Sequence, residues 1–261
     1  MPAKIIAQDI LKVYPSARGN ITAIDHFDLQ VEDGEFVCIV GPSGCGKSTF
    51  LRILAGLIPL TAGTVEIIPG DDPKRPLNSM VFQEYAIYPW KKVIDNVAFG
   101  LQMRGFPKKE RHAIALEWLG KVGLHKFAHY YPAQLSGGMK QRVSIARALA
   151  NDPEVLLMDE PLGALDAQTR MVLQDELLRI WETQRKTVVY ITHSLDEAIL
   201  LGDRVIIMTA HPGRHKATFE IDIPRPRTLK TMATPEFAHT KGQIWEALQD
   251  EVLQAMKDQY E

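Results

Sequence analysis

With 261 residues, 46% of them hydrophobic and 24% charged, the chain can bury a sizeable core and falls outside the disordered and collagen-like classes. Its 30 Lys and Arg against 32 Asp and Glu leave a formal charge of −2, which argues against a nucleic-acid partner. No run approaches the roughly 18 apolar residues of a membrane span, and residues 1–9 lack the apolar core of a signal peptide, so the composition predicts a cytosolic protein.

Residues 4–40 alternate short apolar runs with turn signals. Residues 21–24 and 27–31 alternate like half-exposed antiparallel strands, 32–35 read as a turn, and Tyr14 falls in an irregular stretch ahead of Pro15 and Gly19. Phe36-Val37-Cys38-Ile39-Val40 is a short apolar run with the pattern of a buried strand. It leads into Gly41, Pro42, Ser43, Gly44, Cys45, Gly46, Lys47, Ser48 and Thr49, the pattern G-x-x-x-x-G-K-S, after which residues 50–57 have helical spacing. Strand, glycine loop and helix are the arrangement that phosphate binding needs. The glycines let successive N–H groups turn inward, and the helix N-terminus adds its dipole. Lys47 is placed to reach the β- and γ-phosphates of a nucleotide, and the Ser48 hydroxyl to ligate Mg²⁺. The sequence has two cysteines, Cys38 and Cys45, too few for a disulfide framework and in keeping with a reducing cytosol. Cys45 lies by a helix start and Lys47, a setting that lowers a thiol's pKa; its simpler reading is a small loop residue open to alkylation.

Further along, 61–63 read as a turn, 64–68 as a strand, 69–76 as a polar loop, and 79–82 as a strand ending at Gln83. From about 90 to 150 the spacing becomes helical, over 96–103, 110–120 and 138–150, with breaks at Gly105-Phe106-Pro107 and Tyr130-Tyr131-Pro132. Residues 155–158, 187–192 and 204–209 then read as strands alternating with helices over 169–183 and 195–201, the signature of a parallel α/β core. Residues 221–227 read as a linker. Thr234-Pro235 opens a last helix on which Phe237, Ile244, Trp245, Leu248, Val252 and Met256 form one apolar stripe. His125 with His129, and His211 with His215, have metal-pair spacing only if helical, and neither pair has an obvious third ligand. The pairs Lys91-Lys92 and Lys108-Lys109 read as solvated faces.

Two further stretches carry chemistry. Residues 155–158 end in Asp159 and Glu160, and in a parallel sheet ligands sit beyond the C-terminal strand ends, so these acids are expected beside the phosphate loop. Asp159 would hold Mg²⁺, and Glu160 would polarise a water for attack on the γ-phosphate. Ser136, Gly137, Gly138 and Met139 open a helix, and taken alone read equally as an ordinary helix start or as a second anion-binding element. One nucleotide does not need two such cradles from one chain, which suggests two chains meeting head to tail.

The phosphate loop, Leu135-Ser136-Gly137-Gly138-Met139 and Leu156-Leu157-Met158-Asp159-Glu160-Pro161 follow the order and spacing of the ATP-binding subunit of ABC transporters. The chain resembles that family over essentially its full length. The resemblance implies an α/β fold, a P-loop ATPase core with mixed sheet, an N-terminal antiparallel β subdomain and an inserted helical subdomain. On this reading residues 1–220 are the ATPase domain, with the helical subdomain at about 90–150, and 221–261 a linker and helical extension. Tyr14 sits where the family stacks an aromatic ring on adenine. Gln83 matches the glutamine that touches Mg²⁺ and the attacking water, His193 the switch histidine at the γ-phosphate, and Asp166, in Ala164-Leu165-Asp166, the loop that couples the two sites of a dimer. Met139 departs from the glutamine usual in the wider family.

Residues 81–90, 160–166 and 173–181, with Pro212-Gly213-Arg214 and Arg225-Pro226-Arg227, most resemble importers of nitrate, sulfonate, taurine and bicarbonate. What the resemblance implies is a motor subunit using ATP and Mg²⁺ at the cytoplasmic face of the membrane. Its partners would be a second ATPase subunit, same or related, transmembrane permease subunits and, indirectly, a solute-binding protein. The 83–90 stretch is expected to dock the permease, and no regulatory domain is expected after the ATPase domain. The alternative is a soluble ABC ATPase of DNA repair or translation, which the acidic net charge disfavours.

Overall fold

The computed structural model describes residues 2–17 and 19–258. In chain order the strands and helices are β1 (Ala3–Tyr14), β2 (Ile21–Glu32), β3 (Phe36–Val40), α1 (Lys47–Leu54), β4 (Ala62–Ile67) and β5 (Asn78–Val81). Then come α2 (Val93–Val97), α3 (Phe99–Met103), α4 (Lys108–Lys121), α5 (Gly137–Ala150), β6 (Val155–Asp159) and α6 (Ala167–Gln184). The chain continues through β7 (Thr187–Ile191), α7 (Leu195–Leu201), β8 (Arg204–Met208), β9 (His215–Glu220) and α8 (Pro235–Asp258). It divides into two compact units, one comprising the chain up to Pro69 and from Arg185 on, the other Gly70–Gln184.

The first unit holds two layers of strand. β1 is the centre of an antiparallel sheet with β2 on one side and β4 on the other, pairing Ile6 with Gln30 and with Glu66. The two short runs read at 21–24 and 27–31 are one strand of 12 residues. Its pairing with β1 shifts register around a left-handed Asp9 (φ 54°) and again around a left-handed His26 (φ 52°), and the bulge at His26 disguises it. Tyr14 is the last residue of β1 rather than part of an irregular stretch. In the other layer β3 runs parallel to β7 and β8, and β9 closes the mixed sheet antiparallel to β8. All five residues of β3 and of β7 are buried, which is why they read as unbroken apolar runs. α1 buries Phe50, Leu51, Ile53 and Leu54, with the Phe50 ring 4.6 Å from that of Phe27 in β2. Each such side chain contributes about 1.5–3 kcal/mol by leaving water.

α8 packs on α7 with only part of its expected stripe. Phe237, Ile244 and Leu248 are buried, whereas Trp245 and Met256 are exposed, as is Leu253. α8 is 24 residues long against seven in α7, and exposure is not confined to one half of it: Trp245 is exposed beside buried Ile244, while further along Leu248 is buried and Glu251 half-buried. The linker before it is anchored by Arg227, 3% exposed. Its guanidinium donates to the carbonyls of Ile199, Gly202, Ile221 and Ile223, two of which belong to the unsatisfied end of α7.

In the second unit β5 and β6 form a parallel pair and α2 to α6 pack around Val97, Leu119, Val143 and Ala146, each fully buried. The helix expected at 96–103 is two five-residue helices that meet at Ala98. Neither histidine pair lies on an α-helix. His125 opens a 3₁₀ turn, His211 lies in a turn and His215 begins β9. Among the described residues no helix is long and apolar enough to cross a membrane.

Candidate functional site

In the first unit, the phosphate loop leaves the C-terminal end of β3. Ile39 lies opposite Ile191 of the parallel β7, so the loop after Val40 and the turn Thr192-His193 emerge at the same edge of the sheet. Lys47 is 4% exposed. Its Nζ donates to the carbonyls of Gly41 at 2.9 Å and Pro42 at 2.8 Å, and lies 3.7 Å from Cys45 Sγ. The ammonium therefore draws the loop around itself. Gly46, just before α1, has φ 106°, and a Cβ there would stand 2.6 Å from the Ala23 carbonyl oxygen of β2, so only glycine fits. Cys45 is 1% exposed. Burial pushes its thiol up, outweighing the downward pull of Lys47. This corrects both parts of the sequence expectation, since the thiol is neither activated nor open to alkylation.

His193 is exposed at its strand end. The turn that carries it is held by a residue the motifs do not include. Glu197, 4% exposed, accepts from the Tyr190 hydroxyl at 2.9 Å and from Thr192 Oγ1 at 2.8 Å. Thr192 Oγ1 accepts in turn from Ser194 N, and Ser194 Oγ caps α7 by accepting from Glu197 N. Ser194-Leu195-Asp196-Glu197 is an S-x-x-E capping signature, the signal that would have found it. Tyr14 presents a ring that is 37% exposed, with Lys12 Nζ 4.7 Å from its centroid.

In the second unit, Val81 of β5 lies opposite Met158 of β6. The register brings the next residues together, and Gln83 Nε2 donates to Glu160 Oε2 at 3.4 Å. Asp159 ends β6 with 2% exposure. Glu160 has φ 43°, in the left-handed region. Its carbonyl accepts from Gly163 N at 3.0 Å in a turn seated on buried Leu162, Leu165 and Leu173. Asp166 caps α6, and the hydrogen bond from Thr169 N (3.0 Å) holds its carboxyl below the usual range. Ser136 caps α5, its Oγ accepting from Met139 N at 3.3 Å.

The Tyr85 hydroxyl lies against Gly137, where a Cβ would approach it to 2.7 Å. Tyr85 also lines an open cavity of about 750 Å³ together with Gln83, Ile87, Pro89, Pro132 and Lys140. Two residues absent from the motifs shape this stretch. Asn96, fully buried, accepts from Tyr88 N and donates to the carbonyls of Tyr88, Lys91 and Lys92. Arg147 of α5 donates to the Ala86 carbonyl at 2.7 Å. A separate cavity of about 540 Å³, bounded by Glu32, Glu35, Asp203, Arg204 and Glu220, lies at the start of β3 and β8. Its carboxylates repel phosphate, and the phosphate loop is at the other end of those strands.

Residues 24–163 match the family model described as ABC transporter. The chain belongs to the ABC transporter family. An uncharacterized ABC transporter ATP-binding protein of Methanocaldococcus jannaschii is 48% identical over 259 residues, covering 98% of this chain and 96% of that protein. A nitrate import ATP-binding protein of Synechocystis sp. is 42% identical over 90% of this chain and 91% of its own length. A taurine import ATP-binding protein of Rhizobium johnstonii is 44% identical over 90% and 93%. The structure of a dimeric bacterial ABC transporter cassette superposes with a TM-score of 0.75 at 35% identity, covering 84% of this chain and all of that one (100%).

The chain is thus an ABC-type, nucleotide-binding ATPase subunit, and its strand layers agree with the mixed and antiparallel sheets expected of that fold. In this ABC ATPase the linear motifs fall at strand ends and helix starts. Glu197 holds the turn that carries His193, and Asn96 and Arg147 hold the 86–92 stretch.

Proposed function

We propose that this ABC ATPase is the motor subunit of an importer, hydrolysing ATP between two chains arranged head to tail. The observation that carries the hydrolytic role is the 3.4 Å contact between Gln83 Nε2 and Glu160 Oε2. It puts an amide, able to orient a water, beside a carboxylate able to accept that water's proton.

The nucleotide is held by the N–H groups of residues 41–49, with Tyr14 against adenine. Lys47 exchanges the carbonyls of Gly41 and Pro42 for the β- and γ-phosphates. Ser48, Gln83 and Asp159 supply hydroxyl, amide and carboxylate oxygens, the hard donor set that suits Mg²⁺, and the ion's contribution is to neutralise developing charge on the phosphates. Glu160 takes the proton of the attacking water, and water and ATP become ADP and phosphate. His193 senses the γ-phosphate. The other chain supplies Ser136, Gly137, Gly138 and Met139 as a helix N-terminus, and Asp166 links the two sites.

The subunit works at the cytoplasmic face of the membrane, with a permease seated in the cavity beside Tyr85 and Ile87, next to a Trp90 that is 72% exposed. A solute-binding protein delivers the cargo. The names of the relatives favour a small anion such as nitrate, a sulfonate or taurine. The deciding experiment is Glu160→Gln, with size-exclusion chromatography in ATP and Mg²⁺ and a steady-state ATPase assay. The variant is expected to lose at least about 10²-fold in turnover and to accumulate as an ATP-bound dimer. Unchanged turnover overturns the role of Glu160, and a monomer at saturating ATP overturns the shared site.

A further inference from the structure

The turn between β8 and β9 joins the C-terminal helix to the phosphate loop, all inside the first unit. At one end, Gly213 N donates to the Ala23 carbonyl at 3.1 Å and its carbonyl accepts from Asp25 N at 3.0 Å. This seats the turn on β2, the strand whose Ala23 carbonyl also backs Gly46. Arg214 fixes the seat by an ion pair with Asp25. Gly213 is pressed against the loop itself, since a Cβ on it would stand 2.2 Å from the Cys45 carbonyl oxygen. Within the turn, Thr209 Oγ1 donates to the Pro212 carbonyl at 2.9 Å and accepts from Arg214 N at 2.8 Å. At the other end, Glu251 of α8 accepts from Ala210 N at 2.7 Å through one oxygen and from Lys216 Nζ at 2.7 Å through the other.

We infer that Glu251 is a positioning residue for nucleotide binding, holding the 209–214 turn so that Gly213 supports the Cys45 carbonyl and keeps the phosphate loop in shape. Burial pushes the Glu251 carboxyl up, but the hydrogen bonds from Lys216 and the Ala210 amide outweigh it and leave its pKa below the usual range. The residue therefore stays ionised and its clamp intact at neutral pH. The C-terminal extension acts on the loop as a brace on one side of the turn, while β2 holds the other. This inference rests on nucleotide binding at residues 41–49, as in the function proposed above, and goes beyond it by giving α8 a part.

The two cysteines provide the test. Cys45 and Cys38 are both buried, Cys38 in the middle of β3, so a thiol reagent reports loop opening at one and opening of the sheet at the other. In the nucleotide-free full chain, Glu251→Ala is expected to label Cys45 about tenfold faster, with Cys38 unchanged. Glu251→Gln keeps an oxygen for the Ala210 amide and is expected to stay within about twofold of the parent. Gly213→Ala is expected to accelerate Cys45 at least as much as Glu251→Ala. With nucleotide present, Glu251→Ala raises KM for ATP several-fold and leaves kcat in place, a split that general destabilisation does not produce.

Equal acceleration of Cys45 and Cys38 would make Glu251 a merely structural residue and overturn the inference. So would unchanged Cys45 labelling in Glu251→Ala and Gly213→Ala. Failure of the parent chain to bind ATP would count against the assigned site instead, because labelling is read without nucleotide.

Discussion

Replacing Arg227 by Met tests how α7 is held at its C-terminal end. Four carbonyls share this guanidinium, those of Ile199, Gly202, Ile221 and Ile223, at a residue that is 3% exposed. A hydrogen bond to a charged donor contributes about 1.5–3 kcal/mol net, but bonds made by one side chain do not add, because one ordering cost and one desolvation cost serve all four. Methionine fills similar volume and leaves buried carbonyls unpaired at a helix end whose negative pole also loses its cation. The expected loss is about 3–5 kcal/mol, equivalent to a fall in Tm on the order of 10 °C for a chain of this size. Scanning calorimetry of the parent, Arg227→Met and Arg227→Lys at one pH measures it. Lysine keeps the charge but not the planar fork, so it recovers less than half of the loss. A loss below about 1 kcal/mol, or full recovery by lysine, would refute the account. Because α7 starts immediately after the His193 turn, the variant is also expected to lose turnover at temperatures below its melting transition.

Asn96→Ala removes one acceptor and an NH₂ group whose two hydrogens are shared among three carbonyls of the 88–92 backbone. The expected loss is about 2–4 kcal/mol, with faster hydrogen exchange at the Tyr88 amide; exchange as slow as in the parent would show that the stretch holds itself. Acid stability gives a second reading of Glu251. Its folded pKa lies below its unfolded value, so its contribution is complete above the ordinary carboxylate range and is lost as pH falls through the lowered folded value. The Tm difference between the parent and Glu251→Gln should therefore shrink between neutral and strongly acidic pH, and a difference independent of pH would refute the assignment.

The parts legible in the sequence are those in which neighbours along the chain do the work. The loop 41–49, Ser136 to Met139 and Asp159-Glu160 are each a strand end or a helix start, and local pattern reveals both. β2 was hidden because a bulge at His26 breaks its alternation. β9 escaped notice because its residues alternate exposed with half-buried ones and bury none. The spacing over 96–103 suggests one helix where there are two, α2 and α3, because Ala98 carries no breaking signal. Glu251 with Ala210, Arg227 with Ile199 and Arg147 with Ala86 could not be read at all. Each pairs a side chain with a backbone group far along the chain, and a carbonyl leaves no trace in residue identity. The apolar period of α8 gave its helix correctly, but period alone cannot say how wide the supporting surface is, and Trp245 stays exposed between buried Ile244 and Leu248.

Glu160 holds a conformation that suits glycine better than glutamate, with φ 43°. A glycine there would relieve about 1 kcal/mol of backbone strain while abolishing the contact with Gln83. The backbone thus gains nothing from a side chain at this position, and a glutamate there is accounted for by the role proposed above, accepting the proton of the attacking water. Glu160→Gly should therefore lose turnover while losing little stability, separating what this residue does for the reaction from what it does for the fold.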